Sequence, residues 1–237
     1  MIPASVKMIR ERIARCCERI GRDPVEVTLV AVAKTFPVEM VREVVQAGVG
    51  DIGENYVQEL RHKREALGDK DIRWHFVGHL QSNKARMVAS FAHLIHAVDS
   101  VALARELDRR AREAGRVLDV LVEVNTTGEE SKFGVRPDGA ESLVRSMQPF
   151  PNLRIAGLMT IGPFLPDPEG SRPMFRLLRE LRDSIAAVPQ DNVTMRHLSM
   201  GMTGDFEVAI EEGATIIRIG TAIFGHRVRP PRERDQS

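Results

Sequence analysis

Eight short, almost wholly apolar runs that alternate with amphipathic segments predict an α/β protein, a (β/α)8 TIM-type barrel with an extra helix at its N-terminus. Three observations carry this. The runs are apolar at nearly every position, as parallel strands covered on both faces must be. Their alternation with helical patterns implies right-handed crossovers between neighbouring strands, and eight of them favour a closed barrel over an open sheet. Finally, 237 residues with 43% apolar and 28% charged positions suffice for one core of the size such barrels enclose.

The elements follow in order. From Ser5 to Ile20, Val6, Ile9, Ile13, Cys16 or Cys17 and Ile20 recur at steps of three and four, an amphipathic helix closed by Gly21. After the Asp23-Pro24 turn comes the β-branched run Val27 to Ala33, and Pro37 then opens a helix with Val41, Val44 and Val45 inward and Gly48 at its end. Further runs stand at Gly50–Gly53, Trp74–Val77, Leu94–Val98, Val120–Val124, Arg154–Met159, His197–Met200 and Ile216–Ile219. Ser100 can cap a helix holding Leu103 and Leu107, Asp205 can cap one over Phe206–Glu212, and Phe175, Leu178, Leu181 and Ile185 form a stripe after Pro173. The segment HRVRPPRERDQS, residues 226–237, has no apolar face. The helix Val6–Ile20 is therefore expected to fill the outer-layer place that would follow strand eight. Residues 1–225 are expected to form one barrel domain, with 226–237 a disordered basic tail.

Composition excludes several classes. The net charge of +1, from 34 Lys+Arg against 33 Asp+Glu, offers no global field for nucleic acid or an anionic membrane surface. Cys16 and Cys17 are sequence neighbours that would bridge only with strain, a usage that fits a reducing compartment. The N-terminus runs directly into Lys7, Arg10, Glu11 and Arg12, and no apolar run approaches a membrane span. A cytoplasmic protein is expected. With no heptad or long apolar stripe, so is a monomer.

Lys34 ends the string VAVAKT, directly after a strand, where a barrel carries its working residues. Apolar surroundings favour the neutral amine, the form that attacks an aldehyde to give a Schiff base; the alternative is a lysine snorkelling into solvent. Ser199-Met200-Gly201-Met202-Thr203 and Gly220-Thr221 follow the seventh and eighth runs, where barrels often hold phosphate on glycine backbone and hydroxyls; alternatively they are ordinary turns. Arg218 lies inside the eighth run and needs a partner, either Glu54 or Glu123 in an ion pair or a ligand. Asn55 can donate and accept at the same mouth, and Lys132 is a weaker candidate there. The pairs His75/His79 and His93/His96 sit on or beside strands, where residues four apart are too distant to share an ion, so a structural role is expected and no metal.

The strings VAVAKT, GENYVQE, WHFVGHLQSNK, EVNTTGEESKFGV, GLMTIGP, LSMGMTGDFEVAI and RIGTAIFG together closely resemble the YggS/PROSC family of pyridoxal phosphate homeostasis proteins, from about Val27 to Gly225. The resemblance implies a barrel like the N-terminal domain of alanine racemase, with pyridoxal 5′-phosphate (PLP) held as a Schiff base on Lys34. It further implies phosphate contacts at Ser199, Gly220 and Thr221, Arg218 at the pyridine nitrogen and Asn55 near the ring. The small departures are Thr203, where the family often has Ser, and Gly204. An arginine at that nitrogen keeps it unprotonated and weakens the ring as an electron sink. The only tyrosine, Tyr56, lies in the second βα turn, so a second acid/base on the opposite face is missing. A B6 carrier or homeostasis protein without turnover is therefore expected, with apo-PLP enzymes as possible recipients. The alternatives are a PLP-dependent racemase or lyase, and a cofactor-free lysine aldolase.

Overall fold

Eight parallel strands close on themselves in chain order: β1 (Thr28–Val32), β2 (Asp51–Glu54), β3 (Arg73–Phe76), β4 (Leu94–Val98), β5 (Leu118–Glu123), β6 (Leu153–Met159), β7 (Val193–Ser199) and β8 (Ile216–Ile219). The structure is a computed structural model that describes residues 1–129, 131–163 and 165–225. The expected tail therefore lies outside the described residues. All eight anticipated runs are strands, shifted by no more than two residues, except that β7 begins earlier, at Val193, with Thr194 and Arg196 exposed and Met195 buried between them. β8 returns to β1 in the register Thr28↔Ile216 to Ala31↔Ile219. At the β7/β8 seam the ladder continues past the strand end, with Met200 donating to the Ile216 carbonyl (3.1 Å) and Arg218 to that of Gly201 (3.0 Å).

Helices α1 (Ile2–Ile20), α2 (Val38–Gln46), α3 (Val57–Leu67), α4 (Val101–Glu113), α5 (Ala140–Met147), α6 (Arg172–Ala186), α7 (Phe206–Glu211) and α8 (Thr221–Phe224) surround the strands. A short 3-10 turn, Ser82–Met87, replaces a helix between β3 and β4. Because α8 is a single turn, α1 packs against α2, α7 and α8 and fills the ring there. Arg12 secures it with a bidentate contact to Glu207 (3.0 and 2.7 Å) while stacking on Phe206. Gly21 ends α1 in the left-handed conformation (φ 69°), which glycine adopts without steric cost.

Period-two alternation divides the core. Leu29, Ala31, Ile217 and Ile219 pack outward under the helices, in the main cluster. Val30, Val32, Val77, Leu94, Ala97, Leu121, Ala156, Met159 and Ile216 form a separate cluster inside the barrel. Continuing the β1 alternation, Val30 and Val32 lead to Lys34.

Candidate functional site

A cavity of about 270 Å³ opens at the carboxyl ends of β1, β2, β7 and β8. Lys34, Asn55, Arg218, Gly220 and Thr221 all line it, together with Thr203, Gly204 and an apolar wall that includes Val32, Phe36, Val77 and Ile161. The Phe36 ring is further supported by stacking on Phe224, with centroids 4.8 Å apart. Sites of this kind, apolar with a few convergent polar groups at the C-terminal face of a barrel, hold small ligands.

Lys34 sits in a tight turn that begins where β1 ends. Ala33 donates to the Gly53 carbonyl (2.9 Å), Phe36 donates back to Ala33 (3.1 Å), and Thr35 is left-handed at φ 68°. A β-branched residue is an outlier there, so the surroundings must hold it. They do so through α3. Glu59 accepts the Thr35 amide (2.7 Å), and the buried Lys63 ammonium donates to the Ala33 carbonyl (2.7 Å) and to Glu54 (2.6 Å). Glu54 is fully buried and immediately precedes Asn55, so one ion pair ties the Lys34 turn to the Asn55 turn. Burial pushes the Glu54 carboxyl up, against the pull of Lys63. Gly78 closes on Asn55 from β3, where an added Cβ would lie 2.4 Å from the Asn55 carbonyl oxygen.

The opposite wall is backbone. Gly201 is left-handed (φ 91°), and a Cβ there would meet that of Ala209 at 2.5 Å. Asp205, expected to cap α7, instead turns its carboxylate back, accepting from the Met202 amide (2.7 Å) and the Ser171 hydroxyl (3.1 Å). That fixes the Met202–Gly204 turn. The Thr221 hydroxyl donates to the Thr203 hydroxyl (3.2 Å), joining the two turns.

One expectation needs correction, and one of the two readings of Arg218 falls away. Ser199, expected beside Gly220 and Thr221 as a phosphate contact, does not reach the cavity wall: it is the last residue of β7, completely buried, with its hydroxyl taken by Arg218 Nη1 (2.6 Å) and His96 Nδ1 (2.9 Å). The hydroxyl on the wall four residues later is Thr203. Nor does Arg218 form an ion pair with Glu54 or Glu123. Its second amino group donates to the Thr160 carbonyl (2.8 Å), and burial pushes its guanidinium down to about 10. Glu123, inside the barrel, keeps one carboxylate oxygen without a hydrogen bond, and burial together with the Asp99 charge raises it to about 7. Lys132 pairs with Glu129 (2.8 Å) and lies outside the cavity lining.

Three residues with no place in the expected site make buried contacts beside or beneath it. Lys63 is one; His75 and His96 are the others, meeting across β3 and β4 at 2.9 Å rather than within their sequence pairs. No set of three His, Cys, Asp or Glu side chains among the described residues could hold a metal ion.

Residues 5–228 match the family model of the alanine racemase N-terminal domain. The pyridoxal phosphate homeostasis protein of Aquifex aeolicus is 49% identical over 219 residues, covering 92% of this chain and 95% of that one. The chain belongs to the pyridoxal phosphate homeostasis protein family. Its relative from Pseudomonas aeruginosa is 40% identical over 95% of this chain and 96% of its own. Among solved structures, PipY of Synechococcus elongatus with PLP bound superimposes at a TM-score of 0.78, 36% identical, over 92% of this chain and all of PipY. PipY thus shares the barrel, and its structure holds PLP.

Proposed function

We propose that this chain binds PLP in the cavity above and serves intracellular vitamin B6 homeostasis without catalytic turnover. The observation that carries the reading is the convergence of Lys34, Asn55, Arg218, Thr203 and Thr221 on one cavity. The donor set fits a phosphorylated aromatic aldehyde. Thr203 and Thr221 offer hydroxyls, Gly220 offers close backbone, and at Gly204 an added Cβ would meet nothing within 4 Å, so the cradle is open to a ligand. Bound there, PLP would supply an electrophilic aldehyde and a pyridine ring able to withdraw electrons. Lys34 would hold it covalently through Nζ, Asn55 would flank the ring, and Arg218 would face the ring nitrogen. Ser199 would act from beneath, through Arg218.

A donor-only guanidinium at that nitrogen disfavours protonation and with it carbanion chemistry. Tyr56, the sole tyrosine, is exposed at the start of α3 and outside the cavity lining. The walls come from one chain, so a monomer would suffice, and residues 1–225 would act as one domain. Adjacent free thiols at Cys16 and Cys17 suit a cytoplasmic setting. Apo-PLP enzymes would be the recipients.

Incubation with PLP followed by dialysis should leave a visible chromophore, and no amino acid in a broad panel should exchange its α-proton in deuterated solvent. Exchange at a useful rate would replace this reading with a racemase or lyase. A protein that stays colourless would remove PLP altogether and favour a lysine aldolase.

A further inference from the structure

A line of polar side chains runs through the barrel interior from its amino-terminal face to the cavity floor. Asp51, the first residue of β2, contacts His75 Nε2 at 3.0 Å; His75 Nδ1 meets His96 Nε2 at 2.9 Å; His96 Nδ1 meets the Ser199 hydroxyl at 2.9 Å; and Arg218 Nη1 reaches that hydroxyl at 2.6 Å. Four strands besides β8 are spanned or supplied by these contacts, β2, β3, β4 and β7. Apolar side chains pack around them inside the barrel, so each buried polar atom needs its partner.

The two ends fix the direction of every link. Arg218 can only donate. Asp51 can only accept: burial opposes its charge, but hydrogen bonds from His75 and Arg73 prevail and hold its carboxyl at about 2. His75 therefore donates from Nε2, and the arrangement in which the Ser199 hydrogen also finds an acceptor leaves His75 Nδ1 to accept. His96 must then donate from Nε2, leaving its own Nδ1 to accept the Ser199 O–H. The Ser199 oxygen is thereby open to accept from Arg218. Burial holds His96 well below its ordinary value, helped by the charge of Arg218, and this agrees with a neutral ring. Were His75 to take a second proton, His96 would have to reverse, and Ser199 would face two donors and lose an acceptor for its own hydrogen. The groups that face His75 are Asp51, with Arg73 beyond it, His93 at 5.4 Å between ring centroids, and His96.

We infer that Asp51, His75, His96 and Ser199 form a one-way hydrogen-bond relay that positions the Arg218 guanidinium at the floor of the cofactor cavity. The inference rests on the cofactor reading above and adds to it four positioning residues that do not themselves line the cavity. With Nη1 held by Ser199 at the end of β7 and Nη2 by the Thr160 carbonyl just after β6, the plane of the guanidinium is set from two sides. The relay starts at a solvent-facing end, because the Arg73 side chain that clasps Asp51 is 57% exposed.

The polarity is read first, without any cofactor, from the 15N shifts of the histidine rings in the whole protein. His75 and His96 should both be neutral and protonated at Nε2. A proton on His96 Nδ1 would overturn the relay as drawn. The role is read with PLP as probe. Ser199→Ala and His75→Leu should shift the absorption maximum of the bound chromophore and weaken PLP retention roughly ten- to a hundredfold, the usual effect of losing a hydrogen bond to a charged group. His96→Gln, whose amide can accept from Ser199 and donate to His75, should retain more of both than His96→Leu. Ile217→Val, in the outer layer, should lower the melting temperature and leave the spectrum unmoved. A Ser199→Ala protein that melts earlier yet keeps the wild-type spectrum and retention would reduce the relay to a packing feature. A wild-type chain that takes up no PLP would sink the cofactor reading and the relay's role with it, while the ring tautomers would still decide its polarity.

Discussion

On the β1–β2 side of the cavity, charged side chains buried beneath the turns hold Lys34 and Asn55 in place; on the β7–β8 side, the turns are held by glycine geometry and one inward carboxylate. The first side spends an ion pair, Lys63 with Glu54, on keeping Thr35 in a conformation its own side chain disfavours. The second brings main chain close enough to a ligand for amides and hydroxyls to meet it, which needs small residues rather than charge. A covalent anchor must have its amine in one place, whereas an anion can be shared among many weak donors. The two walls should therefore fail differently.

The largest effect is expected on the charged side. Lys63→Met leaves Glu54 buried without its cation and should cost about 3–5 kcal/mol in urea unfolding, with part of that restored by adding Glu54→Gln. If the single substitution were neutral, the ion pair would not be holding the turn. Glu123 gives a smaller, pH-dependent contrast. Its carboxyl is raised in the fold to about 7, so the stability it contributes is complete below its ordinary 4.5 and is lost as pH rises through about 7. Glu123→Gln should thus unfold like the wild type at pH 4 and be more stable by about 1–3 kcal/mol at pH 8. Equal stabilities at pH 8 would mean that the carboxylate has found a partner. The smallest effect belongs to the backbone wall. Thr203→Val removes one hydroxyl among several donors and should weaken PLP retention about three- to tenfold with little change in folding, and Thr203→Ser should restore it. A loss as large as that of Lys34→Ala would show that the anion depends on a single hydroxyl.

Much of this was readable in the sequence. The alternation Val30, Val32, Lys34 carries the barrel's inward face straight to the mouth, and the adjacent strings SMGMT and GT mark the opposite wall. Ser199 and Thr203 could not be told apart there, because both are hydroxyls in one short string and only the end of β7 at Ser199 decides which lies below the floor and which on the wall. The His75–His96 contact depends on the β3/β4 register, which pairs His75 with Leu94, and no local pattern fixes that register. Lys63 did leave a trace. It falls on the stripe Val57, Leu60, Leu67, where an apolar residue is expected, and a charge on a buried stripe signals a partner inside.

Borohydride reduction of the protein loaded with PLP, followed by peptide mapping, tests the central claim most directly. The account expects the reduced cofactor on the peptide that contains Lys34, and none after Lys34→Ala. A label carried instead by Lys132 or by scattered surface lysines, or a protein that takes up no label, would contradict it.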